Sequence, residues 1–472
     1  MDAGRDQNER ARMSSLPPYS QPEEGPVFII RRAKNEDLGT LLKLAKMVHF
    51  INLPADKDIL SSKISQSRNS FTKAAGGNYE VEDGVSSRLP EPKPSGGKRK
   101  GKSGAASGLR PTNGPGDRSP PRSLTIAGQY ARSDLFMFIL EDTDSRSVLG
   151  TSQIVAHMGG PGNPNLSFKL TAKEFFSESL QYGTTHMTAK LFLDETGPTE
   201  MGGLILQPSY RNTKDRLGRF LSLVRFHFIG LHRELFAERL LAEMMAPIST
   251  DGQNILWEYL GRRFINLTYT EADRFCQYSR EFMYNLLPRE EIYLTLLPPE
   301  ARNVVGQVGP ETVPARRMLE KLGFKYNDFI DPFDGGPHLE AVTADVEMVK
   351  QTRWTELGSA VAPASARRRG MVSRLEIDGE FRSAVVEFAD SDDGRVRLTK
   401  AAMEALAFEP GMKVGVTPAE AYERGPGGAA SAGTTNSMSA ASGVVANETG
   451  TSTGQSTGKA PTKRSKKKAA SV

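Results

Sequence analysis

From residue 91 to 123 the chain reads "EPKPSGGKRKGKSGAASGLRPTNGPGDRSPPRS", in which Gly, Pro, Ser and Lys leave almost nothing to bury. Such a composition cannot offset the entropy of ordering its backbone, so no packed element is expected there. With its flank it defines an insertion, residues 71–123, expected to be disordered. A charged leader, 1–26, and a Gly/Ser-rich tail, 421–472, are expected to behave likewise. Any core must therefore be assembled from residues 27–70 and 124–420, across a gap in the chain.

The same segments hold the excess charge. The insertion has 10 Lys/Arg against 5 Asp/Glu and the tail 7 against 2, so each carries +5. The whole chain is also +5, which leaves the foldable part at −5. A nucleic-acid partner wants a basic face on the fold, and none is expected. The basic end of the tail reads as a solubilising segment. One cysteine, Cys276, excludes a disulfide within the chain and suits a reducing compartment. No apolar run approaches the roughly 18 residues of a membrane span. The N-terminus lacks the apolar stretch of a signal peptide. A cytoplasmic protein without a membrane partner is expected.

Periodicity gives an α/β order. "VFIIRRAKNEDLGTLLKLAKMV" reads as a strand and a helix, and "LPADKDILSSKISQSRNSF" as a second helix. "DLFMFILED" and "VLGTSQIVAHM" predict an antiparallel hairpin, then "AKLFLDE" and "EMGGLILQPSYR" two more strands. "GRFLSLVRFHFIGLHRELF" is a long amphipathic helix, "RLLAEMMAPIS" a strand and "NILWEYLGRRF" a helix. "ADRFCQYSREFMYNLL" predicts one more helix. In "VVGQVGPETVPARRMLEKLGFKY" Thr312 is placed to cap a helix, Pro314 fits its first turn and Gly323 its end. "LWEYLGRRF" and "MLEKLGFKY" echo one another, either by coincidence of helix stops or as a repeated unit. Residues 27–350 form the main domain, 351–372 read as a linker, and 373–420 as a small β-rich C-terminal appendage.

The segment "SYRNTKDRLGRFL" carries the strongest chemical signal. A strand runs into a loop with Arg211, Lys214, Arg216 and Arg219, and Gly218 stands at the mouth of a helix. Helix-start N–H groups, the helix dipole and arginines together suit a phosphate; an ordinary junction with solvated basic residues is the alternative. The six histidines show no metal-ligand spacing. Asp194, Glu195 and Glu200 flank a "GPT" turn, as solvated carboxylates or as a seat for a cation.

"SYRNTKDRLGRFL" is similar to the pyrophosphate loop of the acyl-CoA N-acyltransferase (GNAT) superfamily. Further blocks resemble bacterial arginine N-succinyltransferase: "INLPADKDIL", "LFLDETGPTEMGGLILQPSYR", "LLAEMMAPISTDGQNILWEYLGRRFINLTYTEAD", "EARNVVGQVGPETVPARRMLEKLGFKYNDFIDPFDGGPHLEA" and "VRLTKAAMEAL". They occur in the family's order over about residues 27–410, the insertion excluded. The resemblance implies a GNAT-like fold, a mixed central sheet flanked by helices. It also implies transfer of succinyl from succinyl-CoA to the α-amino group of L-arginine in arginine catabolism. Succinyl-CoA would be a co-substrate, with no permanently bound cofactor. A homo- or hetero-oligomer is left open. Leu204 matches the family's succinyl-CoA position, and Arg211, Arg216, Gly218 and Arg219 would serve the pyrophosphate. Glu200, Asp331, Asp334 and Glu340 are the carboxylates expected to meet a guanidinium.

Two departures from the family stand out. The pyrophosphate loop is slightly longer and lacks most of its glycines, so close backbone approach rests on fewer permissive positions. The family's proton-donor histidine is replaced by Gly309, which can move no proton. The readings are thus an active succinyltransferase, an acyltransferase with a drifted donor or acceptor, or an impaired paralogue that binds acyl-CoA or a partner subunit.

Overall fold

A computed structural model describes residues 28–47, 53–77, 133–249, 253–276 and 279–423. The expectations for 1–26, for 78–123 and for 424–472 lie outside these residues.

Strand β1 (Phe28–Arg32) leads into helices α1 (Leu38–Lys46) and α2 (Lys57–Ala74). Asp56 caps α2 by accepting from the N–H groups of Asp58 at 2.9 Å and Ile59 at 3.2 Å. The helix does not stop where the sequence reading began the insertion. It runs on to Ala74, and the disordered insertion expected from residue 71 is corrected to begin no earlier than residue 78. The reason is Phe71. It is fully buried, with its ring 5.1 Å from Phe136, 5.5 Å from Phe138 and 5.3 Å from Phe228. A buried aromatic cluster stabilises by several kcal/mol, about 3–5 for one Phe, which outweighs the poor helix propensity of "NSFTKA".

The predicted hairpin forms as β2 (Leu135–Asp142) and β3 (Val148–Val155). β2 has no polar break because both faces are covered. Phe136, Phe138 and Leu140 enter one core with Phe71 and the later helix, while Leu135, Met137 and Ile139 meet Leu41, Leu44, Leu60 and Ile64. Next comes a hairpin the sequence reading saw only in part. β4 (Asn165–Ser177) and β5 (Tyr182–Asp194) pair over their full lengths, whereas only "AKLFLDE" reads as strand by composition. Its outer half is exposed, and its turn, "ESLQ", places Gln181 at φ 47° without the Gly or Asn that normally signals one.

β6 (Thr199–Leu206) and α3 (Leu217–Leu231) follow, then β7 (Arg239–Glu243). "NILWEYLGRRF" is helical with a π-turn at Trp257–Gly261, and the single predicted helix after it is two, α4 (Tyr269–Cys276) and a short turn at Glu281–Leu286. β8 (Ile292–Tyr293) leads to α5 (Val313–Lys321), β9 (Lys325–Ile330) and β10 (Pro337–Val342). Thr312 occupies the N-cap of α5 but its side chain makes no capping bond; Pro314 is in the first turn, and Gly323 follows at φ +98°. The Leu-Gly echo is not a repeat. Gly261 sits at φ −56° inside its helix, where a Cβ would meet the Trp257 ring at 2.3 Å, whereas Gly323 ends one.

Residues 351–372 are not a linker. They hold β11 (Arg353–Glu356) and the start of β12 (Arg368–Leu375), which precede β13 (Phe381–Asp390), β14 (Val396–Leu398) and β15 (Lys413–Pro418). Trp354 donates from Nε1 to the Leu231 carbonyl at 2.9 Å, tying β11 to α3. β13 pairs with β1, Ile30 opposite Ser383. The C-terminal region is β-rich as expected, but it extends the central sheet rather than hanging from it. The strand order is β11-β15-β12-β13-β1-β2-β3-β6-β7-β10-β9-β4-β5-β8, with β14 on β13. Every neighbouring strand pair in that order is antiparallel except β6 and β7.

Candidate active site

The parallel pair is short. β6 meets β7 only at Thr199 opposite Leu240 and Glu200 opposite Leu241. Beyond that the strands part, because β6 carries a bulge. Its register on β3 moves from Ile205 opposite Thr151 to Gly202 opposite Gln153, so Gly203 and Leu204 share one partner position. Gly203 stands at φ +57°, and a Cβ there would lie 2.7 Å from Gln153 Cγ. A bulge of this kind adds local twist, and here it turns β6 away from β7. The opening is a cleft of about 930 Å³ lined by Gly202–Leu206 on one wall and Ala242–Met245 on the other.

The mouth of the cleft is basic. Leu204, Arg211, Arg216, Gly218 and Arg219 all line it, joined by Arg317 and Lys321 of α5. The first turn of α3 lines this space at Leu217, Gly218 and Arg219, with the positive end of its dipole. Asn212 and Arg216 take left-handed backbone at φ 59° and φ 51°, a conformation that ordinarily favours glycine. Arg211 reaches across to Glu311 at 2.8 Å and donates from Nε to the Leu206 carbonyl at 3.2 Å. Arg219 donates to the Tyr422 carbonyl and lies 5.6 Å from that ring.

The floor is acidic and buried. Glu243, Asp331, Asp334 and Tyr269 line it. Asp334 accepts from Ala246 N at 2.9 Å and Gly336 N at 2.7 Å, and Asp331 from Phe333 N at 2.6 Å. Burial, then the charge of Glu243, raises the Asp331 carboxyl; burial, then Asp331, raises that of Asp334. Burial also raises Glu243 and, together with these carboxylates, holds the Tyr269 hydroxyl protonated. Glu243, Asp331 and His338 bring an oxygen or ring nitrogen each to within 4.8 Å of one another. The positive charge of Arg280 faces all three. A floor of several carboxylates sharing one internal cation is suited to receive a second, organic one.

A basic mouth for a phosphorylated carrier, a split parallel strand pair and an acidic floor agree with what the sequences of known proteins show. A profile described as arginine N-succinyltransferase beta subunit matches residues 121–348. The arginine N-succinyltransferase of Citrobacter koseri is 34% identical over 294 residues, spanning 61% of this chain and 83% of that one. This chain belongs to the arginine N-succinyltransferase family. The Yersinia pestis arginine N-succinyltransferase is 33% identical over 298 residues, 59% of this chain and 80% of that relative. The structure of arginine/ornithine succinyltransferase subunit AI from Pseudomonas aeruginosa matches with a TM-score of 0.61 at 25% identity, over 84% of this chain and 99% of that one. The chain is therefore an acyltransferase of a family that takes its acyl group from CoA, on the fold the resemblance implied.

Two of the four carboxylates expected to meet substrate lie elsewhere. Glu200 on β6 is fully buried between the charges of Lys63 and Arg225, whose own burial lowers them to about 8 and about 9 against the attraction of Glu200. Arg225 is further held by the Ser222 carbonyl at 3.0 Å. Glu340 is bound by Arg239 and by Asn327 Nδ2 at 3.1 Å, outside the cleft. Asp194 shares Arg239, and Glu195 accepts from Gly162 N at 3.0 Å. Sequence proximity to a turn did not reveal that Lys63, Arg225 and Arg239 already faced Asp194, Glu200 and Glu340. Asp331 and Asp334 are at the floor.

Gly309 is buried behind the lining residues Pro310–Thr312, its N–H donating to Met245 O at 2.9 Å. A Cβ at 309 would stand 3.2 Å from Ala246 O, close enough that the neighbour must yield slightly. Sequence reasoning missed Glu243, Tyr269 and His338. A lone charge in the apolar run "LLAEMM" was the available signal for Glu243.

Proposed function

We propose that this protein transfers the succinyl group of succinyl-CoA to the α-amino group of L-arginine, in the cytoplasm, as a step of arginine catabolism. The support is one juxtaposition, a basic mouth and an acidic floor joined through the β6–β7 split. In this reading the pyrophosphate lies on the α3 start among Arg211, Arg216, Gly218 and Arg219. The pantetheine arm follows β6 past Leu204, which puts the thioester at the split. There the free β6 backbone polarises its carbonyl. The guanidinium, always charged and forked, is received by Asp331 and Asp334. Among the described residues no helix is long and apolar enough to cross a membrane, which agrees with a cytoplasmic site. The family profile and the Pseudomonas structure both name a subunit, and assembly of more than one chain belongs to this reading.

The test is thiol release from succinyl-CoA with arginine, for the native protein and for Gly309→His. The native protein is expected to turn over, since a missing general acid costs about 10²–10⁴-fold only where it acts in the transition state. Gly309→His is expected to fold, with the Met245–Ala246 backbone giving by a few tenths of an ångström. Turnover with another acyl-CoA or amine and none with this pair would replace the reading.

A further inference from the structure

We propose that Glu243 is the base that takes the proton from the acceptor's α-ammonium, so that acyl transfer needs no proton donor at position 309. The inference rests on the succinyl-transfer reading above and deepens it. The placement comes from register. β6 and β7 pair at Glu200 opposite Leu241, so continued pairing would set Glu243 opposite Gly202. The strands part there instead, and Glu243 lines the cleft at its crotch, facing the wall along which the thioester would lie.

The carboxylate is held without being consumed. Asn165 donates from Nδ2 to Glu243 Oε1 at 3.2 Å and accepts from Arg280 at 3.1 Å through its own carbonyl oxygen. His338, directly opposite on β10, turns Nε2 toward Glu243 Oε1 at 3.8 Å, and that nitrogen is buried with no hydrogen-bond partner. The charged and titratable groups around Glu243 are His338 from β10, Asp331 and Asp334 from the loop before it, Arg280 after α4, and Tyr269 of α4, which lines the same floor. Burial holds His338 neutral and lifts the affinity of Glu243 for a proton toward what an ammonium can supply. His338 acts through Glu243 and is a positioning residue.

The step balances. The α-ammonium gives one proton to the Glu243 carboxylate, and the freed nitrogen lone pair attacks the thioester carbon. A C–N bond forms, and the carbonyl electrons move to oxygen. When that intermediate collapses the C–S bond breaks and sulfur leaves with the pair. The nitrogen, now positively charged, passes its second proton to the thiolate. Amide, thiol and a protonated Glu243 result, and the last returns its proton to solvent through the cleft. The nitrogen supplies the proton a histidine would otherwise give.

The experiment is the pH profile of kcat/KM for arginine, from pH 6 to 10, in the native protein, Glu243→Gln and Glu243→Asp, with the KM for succinyl-CoA measured alongside. Glu243→Gln is expected to lose about 10²–10³-fold at pH 7. Its rate then climbs with pH until the α-ammonium, titrating at about 8 in reference peptides, has lost its proton unaided, which recovers about tenfold of the deficit. Its KM for succinyl-CoA stays within twofold. Glu243→Asp keeps the native pH limb at a reduced rate and decides the matter if the Gln variant fails to melt cooperatively. A Gln deficit equal at every pH overturns the proposal, as does native-like Gln activity at pH 7. So does a native rate abolished by chelator and restored by a divalent cation, which would make the cluster a metal site. A silent native protein overturns the succinyl-transfer reading and this assignment with it.

Discussion

The two ends of the cleft bind charge by opposite means. The mouth presents exposed arginines and the start of α3, where water and salt compete for every ligand contact. The floor buries Glu243, Asp331 and Asp334 beside one another, where lost hydration raises the proton affinity of all three and mutual repulsion adds to it at Asp331 and Asp334. A ligand at the mouth gains a little from each of several replaceable contacts. A cation at the floor gains from relieving a cost the fold carries without it. The mouth should therefore set carrier affinity in a graded, salt-dependent way, and the floor should set acceptor binding steeply and with pH.

The largest expected effect tests whether the ends are independent. Phe71 packs in the core that carries both β2 and α3, so Phe71→Ala is expected to cost about 3–5 kcal/mol in denaturant unfolding, with m unchanged. Both substrates should weaken together if the core positions both ends. A loss confined to one would break the symmetry and show that this core supports only that end.

Next in size, Asp331→Asn is expected to raise the KM for arginine about 30- to 5000-fold, the range for losing one partner of a desolvated ion pair. The KM for succinyl-CoA should hold. Asn keeps the oxygen that accepts from Phe333 N and removes a buried like charge, so the melting temperature should not fall. The sign with pH follows from the raised carboxyls. Their folded pKa values exceed the unfolded ones, so their contribution to stability is complete below about pH 4 and is lost as pH rises through the folded values. Arginine should restore most melting temperature at the alkaline end, and its KM should fall as pH rises. An arginine KM flat with pH would place its cation elsewhere.

The smallest effect belongs to the mouth. Arg211 is half-exposed and already shared with Glu311, so Arg211→Ala is expected to raise the succinyl-CoA KM about 3- to 10-fold, shrinking with added salt. A loss that ignores ionic strength would mean Arg211 acts through the Leu206 carbonyl, by holding β6 in place.

Much of this was legible in the chain, for reasons local to each segment. "DLFMFILED" reads as one strand of a hairpin, Pro314 and Gly323 bracket α5, and "SYRNTKDRLGRFL" marks the mouth because helix starts and arginines are read from neighbouring residues. What failed were judgements about partners distant in sequence. Phe71 ends the predicted second helix yet also opens the expected insertion, and only Phe136 and Phe228 packed around it carry the fold past that boundary. The residues read as a linker are strands because β15 and β13 pair with them. Glu200 and Asp331 are both acidic residues near a turn, yet one lies between Lys63 and Arg225 and the other at the cleft floor. Chain order determined most of the elements, the family and the glycine at 309. The tertiary structure alone decided which carboxylates already had cations, because that depends on charges brought together from strands far apart in sequence.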